Sequence, residues 1–508
     1  MTTDHAEVED KYDVDDETAV PAFVGVDGVA SVEPQVEQDL EATYFDTADL
    51  ALTKAGITIR RRTGGQDAGW HAKLPAPEAR HEVRVPLSRA VKTVPKEIRS
   101  VVQGVVREQP LLPVAMIRTR RRASRLLDKK GGVLAEFADD LVTGQRLSPG
   151  TEPTTRTWRE WEIELVDGDA SVLAAVGAAL RDSGATPSWA GSKLARTLDQ
   201  RMPQPPRALV EPDRKAPAAG VVQHRLLEQV AELVRWDPLV RRDVPDSVHK
   251  MRVASRRLSH ALATFRPLLD RSVTEPIRDE LTWLAGYLGD ARDAEVLRAR
   301  LLTALGAEDR HVVPATALRR VDRELSARYR SAHQRLMQVM ESERYFALLD
   351  RLHAVAATPP LTELATEQVR DVLPGRVLHD WKRLKKRVVA AGETDDPVDR
   401  ASLLHEARKA AKRVRYAGEP LVSLYAGSAK KFVSLHEDIQ TTLGEHHDSA
   451  VARDELRRLA GQADREGTDA FIFGVLYVRE EAVGAAAEEE FADVWRRVSK
   501  KRRRHWLH

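Results

Sequence analysis

Two different periodicities divide the chain. Up to about residue 200, apolar and polar residues alternate in short runs: Glu7 to Val14, Thr58 to Arg62, Trp70 to Leu74, His81 to Leu87, Met116 to Leu126, Val133 to Phe137 and Trp158 to Val166. Successive side chains of a strand point to opposite faces, so this period-two pattern predicts β-structure. Beyond about residue 220, Ala, Leu, Arg and Glu recur at helical spacing, as in Val248 to Leu269 and Leu403 to Leu424, with Pro or Gly between the runs. That half reads as all-α. Between them lies Met202 to Gly220, whose prolines forbid a continuous helix or strand. The expected organisation is a multidomain α+β chain: a β-rich domain over 1–200, a linker over 201–221, and a helical domain over 222–508.

The helical half repeats itself. His249-x-x-Arg252-x-x-x-Arg256-Arg257 is matched by His405-x-x-Arg408-x-x-x-Lys412-Arg413. Leu288-Gly289 follows the first copy and Leu443-Gly444 the second, each with an acid four residues after its glycine, Asp293 and Asp448. This predicts a tandem duplication, with copies over about 222–390 and 400–505 and the break in the polar stretch Gly392 to Asp399.

Composition sharpens the picture. With 508 residues, 42% hydrophobic and 31% charged, the chain is long enough for two or three folded domains. The absence of cysteine excludes disulfides, thiolate metal sites and cysteine nucleophiles and fits a reducing compartment. No run approaches the ~20 apolar residues that span a bilayer, so no membrane partner is expected and the cytoplasm is the default location. The net charge of +2 hides segregation: 80 basic and 78 acidic residues are unevenly distributed. Lys11 is the only Lys or Arg among the first fifty residues, while basic residues crowd 54–62, 118–130, 249–257, 376–387 and 408–415.

On the predicted strands, charges fall on alternate positions: Glu7, Glu9 and Lys11; Arg60 and Arg62; Glu82 and Arg84; Arg118, Arg120 and Arg122; Glu160, Glu162 and Glu164. An open sheet with one apolar face would not carry so many same-face charges, because burying an unpaired ion costs several kcal/mol. A barrel with a polar interior accommodates them. Carboxylates gathered there can hold Mg²⁺ or Mn²⁺, while Arg and Lys neutralise phosphates. In the helical half, His249, Arg252 and Arg256 share a stripe, as do His405, Arg408, Lys412 and Arg415. Like charges so close disfavour an isolated helix and call for an anion. The bland alternative, a solvated helix face, is weakened by the duplication. Arg376 to Arg387 adds a further basic helix, and Arg496 to Arg504 reads equally as a basic helix or as a frayed, solubilising tail. Helix-face histidines beside arginines suit donation to an anion better than zinc ligation.

The first 200 residues resemble the CYTH domain of the triphosphate tunnel metalloenzymes. The resemblance rests on Glu7-x-Glu9-x-Lys11, Gly56-Ile-Thr-Ile-Arg60-Arg-Arg62, Trp70-His-Ala-Lys73, Arg80-His-Glu82, Arg118-Thr-Arg120, Ala135-Glu136-Phe-Ala-Asp139, Trp161-Glu162-Ile-Glu164 and Ser192-Lys193-Leu-Ala-Arg196. It implies an eight-stranded antiparallel tunnel with Glu7, Glu9, Glu136, Glu162 and Glu164 as metal carboxylates, Glu136 sharing its role with Asp139. It also implies Lys11, Arg60, Arg62, Lys73, Arg118, Arg120 and Lys193 as phosphate-binding groups, with Glu7, Glu9 and Lys11 at the catalytic centre. Residues 222–505 resemble the CHAD domain. That resemblance implies two four-helix units and polyphosphate binding through His249, Arg252, Arg256, Arg257, His405, Arg408, Lys412, Arg413 and Arg415, with Asp293 and Asp448 orienting the arginines. Lys412 stands where the first copy has Arg256, which keeps the charge and loses the bidentate fork.

The expected activity is metal-dependent hydrolysis of inorganic triphosphate or a related short-chain triphosphate, with polyphosphate bound by the helical domain. Polyphosphate granules are a candidate location within the cytoplasm. The rivals are a non-catalytic polyphosphate-binding adaptor and a nucleotide cyclase acting on ATP. Nucleic acid is not the expected partner, because no DNA or RNA motif appears and aromatics make up only 5% of the chain.

Overall fold

A computed structural model describes residues 8–26, 28–65, 67–75, 81–87, 93–147, 152–203, 213–309 and 313–507. Glu7 therefore lies outside the described residues. The chain separates into two compact units, Met1–Arg207 and Ala208–His508.

The first unit is built on one antiparallel sheet. Its strands are β1 (Glu9–Val14), β2 (Ser31–Val32), β3 (Val36–Asp46), β4 (Thr58–Thr63), β5 (Gly69–Leu74), β6 (His81–Val85), β7 (Leu112–Leu127), β8 (Val133–Arg146), β9 (Thr154–Leu165) and β10 (Thr186–Pro187). The order is β10-β1-β9-β8-β7-β3-β4-β5-β6, with β2 beside β7. Without the two-residue strands β2 and β10, eight antiparallel strands remain, as the resemblance implies. The alternating runs locate seven of these eight. β3 escapes them because Glu37, Asp39 and Glu41 place acids at every second position of its first half.

Side-chain alternation gives the sheet two contrasting faces. The outer face is apolar over β1, β8 and β9: Tyr12, Phe137, Trp161 and Ile163 pack against Val172, Val176 and Leu180 of α3 (Ala170–Asp182). Asp169 caps that helix by accepting from the Ser171 amide at 2.8 Å. The inner face is polar except at one end, where Ile117, Val142 and Trp158 meet Leu194 and Leu198 of α4 (Lys193–Leu198). Gly144 marks that contact: a Cβ there would lie 2.4 Å from Thr197 Oγ1 and 2.9 Å from the Trp158 ring. Gly144→Ala should therefore cost about 1–3 kcal/mol by overpacking, read as a lower urea midpoint at unchanged slope. Two short helices, α1 (Ala51–Lys54) and α2 (Lys96–Val106), complete this unit.

The second unit is helical: α5 (Ala218–Arg241), α6 (Ser247–Thr264), α7 (Arg271–Gly306), α8 (Ala315–Met340), α9 (Glu343–Ala357), α10 (Val369–Gly392), α11 (Pro397–Gly418), α12 (Val422–Arg465) and α13 (Phe471–Val498). The repeat motif lies on α6 and α11, and the Leu-Gly pairs lie on α7 and α12. The duplicated unit is thus α5–α8 and α10–α13, with α9 joining the copies. Two expected boundaries change. The break between copies precedes α10, and Gly392 to Asp399 is the turn from α10 into α11, where Asp396 caps α11 and Pro397 occupies its first position. The linker is shorter than 201–221, because α5 already begins at Ala218.

The apolar faces of both copies merge into one core, including Leu258, Leu284, Leu288, Leu384, Ala411, Ile439 and Leu443. A second cluster ties the far ends of α7 and α8 to those of α12 and α13 through Leu301, Leu325, Leu456 and Phe473. Among the described residues, no helix is long and apolar enough to cross a membrane.

Candidate phosphate sites

A cavity of about 850 Å³ is lined by residues from all eight principal strands and from the start of α4. Its charged lining separates into a cationic wall and a carboxylate floor. On the wall, Arg60 and Arg62 extend from β4, Lys73 from β5 and Arg121 from β7. Arg62 pairs with Asp67 at 2.8 Å. Burial and the neighbouring charges of Arg60 and Arg121 nevertheless hold the Arg62 guanidinium below its ordinary pKa. Three guanidinium groups thus stand close enough to feel one another, although Arg62 is paired with Asp67 and Arg121 with Asp140 and Glu162. Lys73 lies opposite Glu82, which also accepts from His71 at 3.0 Å and Arg84 at 2.6 Å. Burial opposes ionisation of Glu82, but those two partners pull its carboxyl down to about 2.

The floor contains two sets of acids. Glu9, Glu164 and Glu136 sit side by side on β1, β9 and β8, since Glu9 registers with Glu164 and Glu164 with Glu136. Deeper in, Asp140, Glu160 and Glu162 bring ligand oxygens within 4.8 Å of one another. The Lys193 ammonium stands among them, 2.9, 2.8 and 2.7 Å away. Arg121 adds a bidentate pair to Asp140 at 2.9 and 2.7 Å and a further bond to Glu162. Burial would lower the Lys193 ammonium, yet the three carboxylates outweigh it and raise it well above an ordinary lysine. Burial would likewise raise Glu162, but Lys193, Lys11 and Arg121 hold it far below its usual range. Lys11 bridges the two sets, bonded to Glu9 at 2.8 Å and to Glu162.

The structure gathers Glu9, Lys11, Arg60, Arg62, Lys73, Glu136, Glu162, Glu164 and Lys193 around one cavity. Two expected members point elsewhere. Arg118 and Arg120 lie on the outer face of β7, 67% and 58% exposed. They oppose Glu41 and Asp39 of β3, and Arg122 beyond them opposes Glu37. The phosphate-facing residue of that strand is Arg121, one position out of phase. Asp139 is also on the wrong face for a shared role with Glu136: it accepts from Arg159 and Trp161, while Asp140 faces inward. Lys193 lines the cavity, but its ammonium is taken up by three carboxylates.

The donor set fits a hard divalent cation, since the in-register row Glu9–Glu164–Glu136 offers only oxygen. The deeper triad has the same chemistry but already encloses an ammonium. The row could also hold a cation, with Glu162 at its inner edge, although Lys11 bonds Glu9 and Arg125 faces Glu136.

In the helical unit, the motif cations of both copies converge. Arg256 feels Arg252 and Arg408, and Lys412 feels Arg408, Arg256 and Arg252. Four cations thus face one another where α6 packs on α11. Asp293 holds Arg252 at 2.9 Å and Asp448 holds Arg408 at 3.8 Å. The glycines of the Leu-Gly pairs let these arginines lie flat on the neighbouring helix, since a Cβ on Gly289 or Gly444 would stand 3.5 or 3.3 Å from the guanidinium. His249 is half-buried beside Arg292, and His405 lies 4.3 Å from His447 between ring centres. Burial, His447, Lys409 and Arg408 push His405 down to about 4. His447 is a neighbour the repeat motif did not reveal.

Arg257, Arg413 and Arg415 do not join this cluster. Arg257 pairs with Glu419 at 3.1 Å, Arg413 with buried Asp380 at 2.9 Å, and Arg415 with Glu419 and Glu437. The reason is helical phase: Arg257 and Arg413 sit about 100° around the helix from Arg256 and Lys412, facing acids of the packed core.

The profile of the CYTH domain matches residues 5–197 and that of the CHAD domain matches residues 224–457. The chain therefore carries a CYTH domain followed by a CHAD domain. It belongs to the same family as the "Uncharacterized protein MT2285" of Mycobacterium tuberculosis (strain CDC 1551 / Oshkosh), with 38% identity across 98% of this chain and 97% of that protein. Among solved structures, PptA from Streptomyces chartreusis is 26% identical over 55% of this chain and 100% of its own, at a TM-score of 0.46. The CHAD domain from the plant Ricinus communis is 25% identical over 57% and 95%, at a TM-score of 0.45. CYTH and CHAD domains support a function in triphosphate and polyphosphate chemistry.

Proposed function

We propose that the tunnel hydrolyses inorganic triphosphate or a related short-chain triphosphate in a metal-dependent reaction, and that the helical domain binds polyphosphate. The observation that carries this reading is the crowding of Arg60, Arg62 and Arg121 across the cavity from the row Glu9–Glu164–Glu136. The wall gathers cations and the floor carboxylates, and Asp67, Lys11 and Arg125 offset these charges only in part. A triphosphate chelating a divalent cation offsets both.

Mg²⁺ or Mn²⁺ would be held by Glu9, Glu136, Glu164 and Glu162, with Glu7 as a further candidate, and when bound supplies charge neutralisation and a more acidic water. Arg60, Arg62 and Lys73 neutralise the phosphate chain and fix its direction along the tunnel. Lys11, held between Glu9 and Glu162, carries its charge to the junction of the two walls. Water adds to the terminal phosphorus, the bridging oxygen leaves with pyrophosphate, and the protein's role is positioning and charge stabilisation rather than covalent catalysis.

Orthophosphate release from triphosphate with Mg²⁺ or Mn²⁺ tests this. Glu9→Gln with Glu164→Gln should cut release at least about 100-fold. Negligible release by the intact chain, with polyphosphate still bound, would leave an adaptor rather than an enzyme. Cyclic nucleotide formed from ATP would make the tunnel a cyclase.

A further inference from the structure

We propose that the C-terminal turn and the outer side of α10 form a second polyanion-binding surface on the helical domain, separate from the α6/α11 cluster, which takes a stretch of linear polyphosphate. The proposal rests on the polyphosphate reading for its ligand class only.

Two independent observations carry it. The first is that the basic C-terminal run, Lys500 to Arg504, is anchored. Trp506 and Leu507 just beyond it are buried, 8% and 3% exposed. The Trp506 ring lies 5.0 Å from Tyr425 and 5.5 Å from Phe432 of α12, and the Arg504 guanidinium lies 3.7 Å over the Trp381 ring of α10. A solubilising tail needs no such clamp, because exposed cations solubilise equally well on a frayed end. Here the fold fixes the run against two helices.

The second observation is charge without partners. Among the described residues, Lys382, Lys385 and Lys386 of α10, Lys431 of α12, and Lys501 and Arg502 of the turn are exposed, and no carboxylate lies within 4.0 Å of any of them. Other arginines of this domain are largely paired: Arg496, a few residues earlier, faces Asp493, and Arg300 holds both Glu445 and Glu480. Six unpaired cations on neighbouring elements repel one another until an anion bridges them. On α10 these lysines stand about 140–240° around the helix from Asp380, whose carboxylate is turned inward to Arg413. The surface therefore belongs to the opposite side of α10 from the motif helices.

The occupant follows from the aromatics. Single-stranded nucleic acid gains much of its affinity by stacking bases on exposed rings. Trp381 is covered by Arg504, and Trp506 is buried against Tyr425 and Phe432, so no ring face is on offer. A flexible phosphate chain needs only closely spaced cations. A long chain engaging both surfaces gains from effective concentration, whereas a short one fits only one of them.

The test compares the full chain with Lys385→Ala/Lys386→Ala/Lys501→Ala/Arg502→Ala, using tripolyphosphate, polyphosphate of about a hundred units and a poly-uridine oligonucleotide as probes. The variant should bind the long chain about tenfold more weakly at moderate salt, and its log–log salt slope should fall by about 3, at roughly 0.7 for each phosphate no longer neutralised. Tripolyphosphate binding and orthophosphate release should not change. Replacing the three lysines with Arg and the Arg with Lys should instead keep long-chain binding, which excludes a mere folding defect. Unchanged long-chain affinity and slope would overturn the proposal, and so would loss confined to the oligonucleotide. Arg252→Ala/Arg408→Ala separates this result from the domain reading: if that variant keeps full long-chain affinity, the central cluster is not the polyphosphate site while the C-terminal surface still stands.

Discussion

Asp140→Ala should lower the stability of the N-terminal domain by about 3–5 kcal/mol, the scale for removing one partner from a buried ion network. The Asp140 side chain is 0% exposed and holds both Arg121, in bidentate fashion, and the Lys193 ammonium. Its loss leaves two buried cations sharing Glu160 and Glu162, which also serve Trp158 and Lys11. The inner-face neighbours of Asp140 on β8, Val142 and Ala138, are apolar and offer no replacement carboxylate. Urea unfolding of the full chain, followed by tryptophan fluorescence, reads the change. Glu41→Ala supplies the contrast: its partner Arg118 is exposed, and the loss should stay below about 1 kcal/mol. Equal effects of the two substitutions would mean that the Lys193–Arg121 network does not hold the tunnel floor. Asp140→Ala should also slow phosphate release, because Arg121 would lose the carboxylate that fixes its guanidinium in the cavity lining.

The ladder on the other side of the same strand explains what the sequence conveys and what it conceals. Glu160, Glu162 and Glu164 were legible as one inward face because Trp161 and Ile163 between them are plainly core residues. On β7 the run Arg118-Thr-Arg120-Arg-Arg122 has cations on both phases, so periodicity alone selects the majority phase, which is the outer one. The deciding signal lies on another strand. Glu37, Asp39 and Glu41 of β3 match Arg122, Arg120 and Arg118 in antiparallel register, and an acid ladder of the same period marks a solvent face of cross-strand pairs. That leaves Arg121 for the interior. Recognising it requires knowing that β3 exists and neighbours β7, a pairing across more than seventy residues.

In the helical domain the duplication was legible because each motif serves one repeated contact, an arginine laid on a glycine and oriented by an aspartate. The copy boundary was not, since α9 has no counterpart after α13 among the described residues and the polar turn before α11 mimics a linker. Which arginines of the motif face the anion was only half legible: Arg256 and Arg257 are adjacent in sequence, but packing assigns one to the cluster and the other to Glu419.

The affinity of the helical domain for polyphosphate should fall as pH rises from 7 to 9, by up to about tenfold per unit, and Lys412→Arg should abolish that dependence. Burial first, then Arg408, Arg256 and Arg252, push the Lys412 ammonium down to about 7, and Asp448 opposes them only weakly. Without an anion, a large fraction of Lys412 is neutral near pH 7. Phosphate oxygens beside it restore the charge, so binding takes up as much as one proton, and linkage makes that number the slope of log affinity against pH. The histidines do not supply this window. Burial and nearby cations hold His405 at about 4 and His260 at about 3, and depress His249 and His447 below 6.5, so all four are neutral throughout it. The stability of the free domain carries the complementary sign. A folded-state pKa below the unfolded value of 10.5 means that the unfolded chain binds more protons between about 7 and 10.5, so stability rises with pH across that range and is lost as pH falls toward 7. Calorimetric titration at pH 7, 8 and 9 in buffers of different ionisation enthalpy measures the proton uptake directly. Equal affinities across that range, or the same slope in Lys412→Arg, would refute the assignment. Arginine stays charged at every pH in question. The difference between the copies, Arg256 in one and Lys412 in the other, therefore gives the central cluster one cation that an anion must charge on arrival and that loses its proton when the anion leaves.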